Sequence, residues 1–131
     1  MKQLLYVFFI LFSITFSSCS DSANGVTIIS QEEMQTFLKM DDVQLIDVRS
    51  PKEYRLGHIA DAQNIDFYSS TFDDDISKLD KNKPVILYCK SGGRSAKCAK
   101  KLINAGFIKV YDFEGGISKW KHSGLQLNTA L

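Results

Sequence analysis

The sequence has little of what several common classes of function depend on. It contains two histidines and three cysteines among 131 residues, and its basic and acidic residues nearly cancel, leaving a formal charge of +1 at pH 7. The few histidines and cysteines show no metal-ligand spacing, so we expect neither a metal ion nor another cofactor. The balanced charge provides no basic surface for nucleic acid and no polybasic patch for a membrane.

The first 18 residues are predicted to be a signal peptide. Residues 1–3 include one lysine, residues 4–16 are almost all apolar, and small residues precede Cys19. This order of charged, apolar and small residues is typical of secretory signals. The apolar run is shorter than the roughly 20 residues that a membrane span needs. A retained N-terminal anchor helix is the alternative.

The residues before Cys19 resemble the cleavage site of bacterial lipoproteins, in which the cysteine becomes the lipidated first residue, although Phe16 replaces the usual leucine. The resemblance implies export to the periplasm or cell envelope and a lipid anchor at Cys19 that attaches the protein to a membrane. Residues 19–25 would then form a tether, residues 26–124 the domain and residues 125–131 a tail. The alternative is a plain secretory signal, cleaved nearby, in which Cys19 is incidental.

Strand-like and helix-like patterns alternate through the predicted domain, with no internal repeat, low-complexity tract or second domain. This alternation predicts a small α/β domain with a parallel sheet and helices on both faces. Such sheets bind ligands at the carboxyl ends of their strands. The predicted strands are 26–29, 43–48, 85–88 and 109–111, with a brief extended segment at 62–66, and the predicted helices begin near residues 31, 51, 69, 94 and 117.

Cys89 stands between the most apolar predicted strand and a predicted helix. Gly92 and Gly93 let the backbone turn sharply and point successive N–H groups inward. The helix N-terminus adds partial positive charge, and Lys90 and Arg94 add full charges. A thiol in these surroundings ionises readily, and the same loop would hold a small oxyanion. We therefore predict that Cys89 is a nucleophile in an anion pocket.

Cys98 is predicted to be a core residue. It shares one face of the helix after the loop with Ser95, Ala99 and Leu102, and this face would pack on the sheet. The alternative is a resolving thiol for Cys89, as in a thiol–disulfide protein, which requires Cα atoms within about 7 Å of each other.

Several motifs occur in the order found in rhodanese-homology domains, and the sequence resembles that family over residues 26–124. No single motif is specific, but their conjunction is. The matching residues are Asp47-Val48-Arg49, Glu53-Tyr54, Gly57-His58-Ile59, Ala62, Asn64-Ile65, Cys89 to Ala96, Gly106-Phe107, Glu114 to Ile117 and Trp120.

The resemblance implies a rhodanese-like fold and sulfur transfer. In that family the loop cysteine takes a sulfane sulfur from a donor such as thiosulfate, becomes a persulfide, and passes the sulfur to cyanide or a thiol, including a thiol on a protein. Carried over, Cys89 is the persulfide carrier, and Lys90 and Arg94 hold the anionic donor. The implied substrate-binding residues are Lys90, Ser91, Gly92, Gly93, Arg94 and Ser95.

Loop length separates this chemistry from that of cysteine-dependent phosphatases. Four residues lie between Cys89 and Arg94, one fewer than those phosphatases place between their cysteine and arginine. The shorter loop is associated with sulfur substrates, since its ring of N–H donors is too small for phosphate. Two alternatives are a phosphatase and a carrier module that only transfers sulfur to a partner protein.

Other polar residues of the motifs are predicted to support the site. Asp47, Arg49 and Glu53 would fix the loop after the second strand, with Arg49 pairing with either Glu53 or Asp47. His58 is predicted to be structural and not a general base, because its motif lies at a turn. Trp120 is predicted to pack in the core.

Overall fold

The computed structural model describes residues 25–130, so the predicted signal peptide and Cys19 lie outside the described residues. No helix in the described residues is long and apolar enough to cross a membrane. The strands are β1 (Val26–Ile29), β2 (Gln44–Asp47), β3 (Gln63–Asn64), β4 (Val85–Tyr88) and β5 (Val110–Phe113). The helices are α1 (Gln31–Phe37), α2 (Pro51–Leu56), α3 (Phe72–Ser77), α4 (Gly93–Asn104) and α5 (Gly116–His122).

The five strands form one parallel sheet in the order β1-β5-β4-β2-β3. β4 lies at the centre, and all four of its residues are buried. A parallel strand covered by helices on both faces is apolar throughout and does not alternate with polar residues. The α/β class that the sequence predicts is confirmed. Because Cys89 follows β4 directly, it lies in the middle of the carboxyl edge of the sheet.

Two apolar clusters fill the two faces of the sheet. On one face, Leu87 and Val110 pack with Leu102 of α4 and Phe72 of α3. Opposite them lies the second cluster, which comprises Ile29, Met34, Leu45, Ile59, Ala62, Ile86, Tyr88, Phe113, Ile117 and Trp120. Successive strand residues point to opposite faces, so Cys89 belongs with Leu87 on the α4 side.

Helix starts follow the local sequence closely. Ser30 begins α1 and Ser50 begins α2, and each forms a capping box with the glutamate three residues later, Glu33 or Glu53. In such a box the serine oxygen accepts from a free backbone N–H while the glutamate accepts from the N–H of the serine. Pro51 occupies the first turn of α2, where its missing N–H leaves no hydrogen bond unmade.

Several boundaries differ from those predicted, and two of these differences follow from contacts in the structure. The helix expected over 69–79 covers only Phe72–Ser77, because the side chains of Ser69 and Thr71 contact each other in a turn before it. β5 continues to Phe113, beyond the predicted end at Tyr111, because it pairs with both β1 and β4. Sheet pairing therefore lengthens a strand that looks short in isolation.

The C-terminal segment packs on the domain. Leu125 and Leu127 contact the second cluster, and the Trp120 indole N–H donates to the Gln126 carbonyl at 3.0 Å. Asn128 and His58 exchange backbone hydrogen bonds of 2.8 and 2.9 Å. The folded part of the chain therefore extends past Gly124.

We predict that Tyr88→Phe lowers the free energy of unfolding by about 1–3 kcal/mol, because it leaves a buried donor unpaired. The buried Tyr88 hydroxyl accepts from the Ile59 N–H at 3.1 Å. Urea denaturation measures the loss. Tyr68→Phe is the control, since Tyr68 is 69% exposed and its loss of a hydroxyl changes stability by less than about 0.5 kcal/mol. Equal effects of the two substitutions would contradict the role assigned to Tyr88.

Candidate active site

The loop after β4 folds around the Cys89 sulfur. Cys89 is 2% exposed, and its Sγ accepts a hydrogen bond from the Gly92 N–H at 3.0 Å. Gly92 has φ +117°, a left-handed value that side chains rarely tolerate. This turn brings the chain back over the sulfur, and α4 begins at the next residue.

Backbone and hydroxyl donors favour the thiolate of Cys89. Burial by itself would raise the pKa of the thiol. The Gly92 N–H donates to the sulfur, and the nearby Ser95 hydroxyl and the N–H groups of Ser95 and Ser91 act in the same direction. Together they outweigh burial, and the pKa of the thiol is lowered. Donors aimed at a sulfur stabilise its charged form without needing a base.

Helix α5 donates hydrogen bonds to two carbonyl groups of the same loop. The Ile117 N–H donates to the Cys89 carbonyl at 2.9 Å, and the Ser118 N–H donates to the Lys90 carbonyl at 3.0 Å. Gly116 makes this approach possible, since a Cβ at that position would lie 2.5 Å from the Cys89 oxygen. Its φ of +57° also favours glycine.

Arg94 and Glu53 join the loop to α2. The guanidinium forms a bidentate ion pair with the carboxylate, with both N–O distances 2.8 Å. The hydrogen bond from Arg94 lowers the pKa of Glu53 to about 2 against the opposing effect of burial, with help from Ser50. Arg94, predicted to hold the substrate, is thus engaged by a carboxylate from a distant part of the chain.

Asp47 and Arg49 form a second, buried ion pair at the end of β2. Arg49 Nη2 lies 2.6 Å from Asp47 Oδ2 and donates to the Gly57 carbonyl at 2.7 Å. The Asn64 amide donates to the carbonyls of both residues of the pair. Of the two partners predicted for Arg49, the structure selects Asp47, because Glu53 is already paired with Arg94.

A cleft of about 230 Å³ lies beside the loop, between α2 and α5. Its lining includes Lys90, Lys121 and Arg49, together with the apolar side chains of Leu56 and Leu127. Neither lysine has a carboxylate within ion-pair distance among residues 25–130. Their charges are therefore available to attract an anion to the edge of the site.

Comparison with known proteins agrees with this geometry. Residues 30–123 match the family described as Rhodanese-like domain. The chain belongs to that family.

Relatives in the family carry sulfurtransferase names. The chain is 34% identical over 84 residues to thiosulfate sulfurtransferase GlpE of Pseudomonas paraeruginosa, covering 64% of this chain and 74% of that one. It is 32% identical over 100 residues to a sulfurtransferase of Allochromatium vinosum, covering 76% and 92%.

Solved structures of rhodanese-like proteins have the same fold. A rhodanese-related protein from Thermoplasma volcanium superposes with a TM-score of 0.69 at 28% identity, covering 78% of this chain and 97% of that one. The polysulfide-sulfur transferase homodimer of Wolinella succinogenes has a TM-score of 0.67 at 30% identity, covering 83% and 82%.

The predicted substrate-binding residues of this rhodanese-like domain occupy different positions relative to the Cys89 sulfur. Ser91, Gly92 and Ser95 surround the Cys89 sulfur. Lys90 points into the cleft, and Gly93 is the first residue of α4. No group of three or more potential metal ligands lies together within residues 25–130.

Asp112 is a residue of the site region that the sequence patterns missed. It is 5% exposed, and its Oδ1 has no hydrogen-bond partner among the described residues. Burial raises the pKa of this carboxyl to about 6, with Ser95 acting in the opposite direction. The alternation of strand residues could have found it, since Asp112 is two positions after the buried Val110.

Cys98 lies in the same region and is fully buried. Burial, with a smaller effect from Asp112, raises the pKa of its thiol to about 12. Neither Cys89 nor Cys98 forms a disulfide. Cys98 is therefore a neutral thiol packed in the core.

We predict that Gly116→Ala destabilises the protein more than Gly124→Ala. Both positions have positive φ, which costs a side chain about 1–2 kcal/mol. Only at Gly116 does the new Cβ meet the Cys89 loop, whereas nothing lies within 4 Å at Gly124. The clash should add about 1–3 kcal/mol, measured by urea denaturation. Equal losses would show that α5 does not constrain the loop.

We predict that Glu53→Gln lowers the free energy of unfolding at pH 7 by about 1–2 kcal/mol, a discounted value because the Glu53 side chain is 33% exposed. Glutamine preserves the capping box and removes the charge. The folded pKa lies near 2, below the ordinary 4.5, so the stabilisation exists above pH 4.5 and is lost as pH falls towards 2.

Urea denaturation at pH 7, 4.5 and 3.5 tests this, with Arg94→Gln as the matched background. The difference between Glu53→Gln and the unmodified protein should shrink below pH 4.5 and should largely disappear when Arg94 is already replaced. A difference that is independent of pH would mean that the ion pair adds nothing to stability.

Proposed function

We propose that this protein is a thiosulfate-type sulfurtransferase that carries the transferred sulfur as a persulfide on Cys89. The observation that carries the proposal is the Cys89 sulfur, which is buried, has a lowered pKa and is surrounded by N–H and hydroxyl donors. The sulfurtransferase names of its relatives support the same chemistry. A nucleophile activated by fixed donors needs no metal ion or general base.

In the first half-reaction the Cys89 thiolate attacks the sulfane sulfur of thiosulfate. A bond forms between the two sulfurs, the S–S bond of thiosulfate breaks, and sulfite leaves with the bonding electron pair. Lys90 and Lys121 at the cleft attract the dianion. The donors beside the thiolate are then available to the negatively charged outer sulfur of the persulfide.

In the second half-reaction an acceptor attacks the outer sulfur of the persulfide. The persulfide S–S bond breaks, its electron pair returns to Cys89 as thiolate, and the acceptor leaves as thiocyanate or as a new persulfide. Charge and electrons balance without an oxidant, because the donor supplies sulfur already in the sulfane state. Arg94 stays paired with Glu53 in this scheme and holds the loop in shape while Lys90 attracts the anion.

A persulfide carrier that delivers sulfur to a partner protein is a second candidate. Two large apolar side chains near the site favour it, Leu56 at the cleft and Tyr68 near Arg94, which are 76% and 69% exposed. Exposed apolar groups around a reactive sulfur suit contact with a protein thiol. The two candidates share the Cys89 persulfide and differ in how fast free thiosulfate turns over.

We also propose that the protein is exported and anchored to a membrane by a lipid on Cys19. This proposal rests on the sequence of residues 1–19 alone. In an oxidising compartment the Cys89 thiolate would have to be kept from sulfenic acid or disulfide formation.

We predict that Cys89→Ser reduces cyanide-dependent thiocyanate formation from thiosulfate to the uncatalysed background, because the hydroxyl cannot form a persulfide. Cys98→Ala is the matched control and should retain turnover, since the Cys98 thiol is buried and neutral. Thiocyanate is measured with purified, reduced protein, and circular dichroism confirms that both variants are folded.

Three results would overturn the proposal. A folded Cys89→Ser variant that still makes thiocyanate would remove Cys89 from the reaction. Hydrolysis of an aryl phosphate that is lost in Cys89→Ser would indicate a phosphatase. No turnover by the unmodified, reduced protein would favour the carrier, and transfer of labelled sulfur to a protein thiol would then be the readout.

A further inference from the structure

Asp112 is an acidic residue buried among apolar residues in the core of this domain. It occupies β5 among apolar residues, is 5% exposed, and its Oδ1 accepts no hydrogen bond from any described residue. A buried carboxylate without partners is costly, so such a group tends to hold a proton. The sulfur-transfer scheme above makes no use of this carboxyl.

The register of the sheet places Asp112 beside the nucleophile. Asp112 is opposite Leu87 of β4, and Cys89 is two residues further along the same face. Two residues along a strand correspond to about 7 Å. Ser95 is fully buried on α4, and it is near enough to both groups to lower the pKa of the Cys89 thiol and of the Asp112 carboxyl.

Three acceptors therefore compete for the Ser95 hydroxyl. In the structure this hydroxyl donates to the Gly92 carbonyl at 3.2 Å. It also stabilises the charged forms of Cys89 and Asp112. A hydroxyl has a single proton to donate, so what one acceptor gains another loses.

We propose that Asp112 is a positioning residue that controls the Cys89 thiolate through Ser95. With the carboxyl protonated, Asp112 can donate to the Ser95 oxygen and leave the Ser95 proton free for the sulfur. With the carboxylate formed, Asp112 accepts the Ser95 hydrogen bond in place of the sulfur and adds a negative charge near the sulfur. The inference deepens the proposed function, on which it rests for the use of Cys89 as nucleophile.

The groups around Asp112 leave few other sources of a pH effect. Its neighbours on the sheet, Ile28 on β1 and Leu87 on β4, cannot titrate. Cys98 on α4 faces it as a neutral thiol. Lys101, beyond Cys98, is half-exposed and lies 3.7 Å from Asp73. Cys89 itself completes the titratable set.

The direction of the pH effect follows from burial. The carboxyl has a pKa of about 6 in the folded chain against an ordinary 3.8. The folded state therefore binds the proton more tightly than the unfolded state, so stability is present in full below pH 3.8 and falls as pH rises to about 6. Over the same rise, ionisation of Asp112 opposes ionisation of Cys89.

We predict that Asp112→Asn, which keeps the shape and cannot ionise, shifts the midpoint of Cys89 alkylation by iodoacetamide to lower pH. The shift should be about half a unit to one unit, or about three- to tenfold more thiolate at a pH below both midpoints at which Asp112 is ionised. Rates are measured from pH 4.5 to 9 in a Cys98→Ala background, so that Cys89 is the thiol observed. The midpoint is the readout, because a thiolate of lower pKa is also intrinsically less nucleophilic.

Two matched variants test whether Asp112 acts on Cys89 through Ser95. Asp73→Asn removes the same charge from a side chain that is 83% exposed, and it should leave the midpoint unchanged. In a Ser95→Ala background the effect of Asp112→Asn should become clearly smaller. An undiminished effect there, or an equal shift in Asp73→Asn, would overturn the proposal.

Asp112→Val serves as a second variant if the asparagine variant does not fold, because valine suits a buried strand. Urea midpoints between pH 4 and 6 give an independent reading, since the stability of the unmodified protein relative to each variant should decline over this range.

Thiocyanate formation is measured on the same samples, so that a failure of the Asp112 role can be distinguished from a failure of the proposed sulfurtransferase activity. Turnover with no shift in the alkylation midpoint would reject the role of Asp112 alone. A shift without turnover would support that role and reject the enzyme.

Discussion

Backbone groups around the Cys89 sulfur favour its anionic form, and that arrangement constrains the rest of the domain. To aim N–H groups of the loop at one sulfur, the chain must turn tightly through Gly92. A backbone turned in this way has carbonyl groups that need donors elsewhere, because buried polar groups must be paired. Helix α5 supplies those donors to the first two residues of the loop.

The docking of α5 in turn depends on packing far from the sulfur. Trp120 contacts Phe113 of β5 with ring centroids 6.1 Å apart, and Ile117 belongs to the same cluster. The segment after α5 then pairs with His58, whose ring stacks on Tyr54 with a centroid separation of 3.8 Å. Both faces of the sheet therefore help to hold the loop, one through α4 and the other through α5.

Most charges at the carboxyl edge are paired with each other and not with the sulfur. Asp47 neutralises Arg49, and Glu53 neutralises Arg94. Backbone and hydroxyl groups then lower the pKa of the Cys89 thiol, and Lys90 forms no ion pair among the described residues. In the proposed function, attraction of an anion and stabilisation of the nucleophile are therefore assigned to different groups.

Local signals in the sequence predicted much of this structure. The capping boxes at Ser30 and Ser50 depend on residues three positions apart, and both helices begin where the sequence predicts. The apolar run before Cys89 and the two glycines after it specify a strand, a tight loop and a helix start. These features are readable because each depends on neighbours in the chain.

By itself, the sequence determined the parallel α/β class, the starts of α1, α2, α4 and α5 to within one residue, and the place of Cys89 at the end of the central strand. Only the tertiary structure decided that Glu53 pairs with Arg94, 41 residues away, and not with Arg49. It also decided that Gly116 contacts the Cys89 carbonyl and that Asp112 is buried beside Ser95. Such contacts join residues distant in the chain, so they follow from strand order and helix docking, which no local pattern encodes.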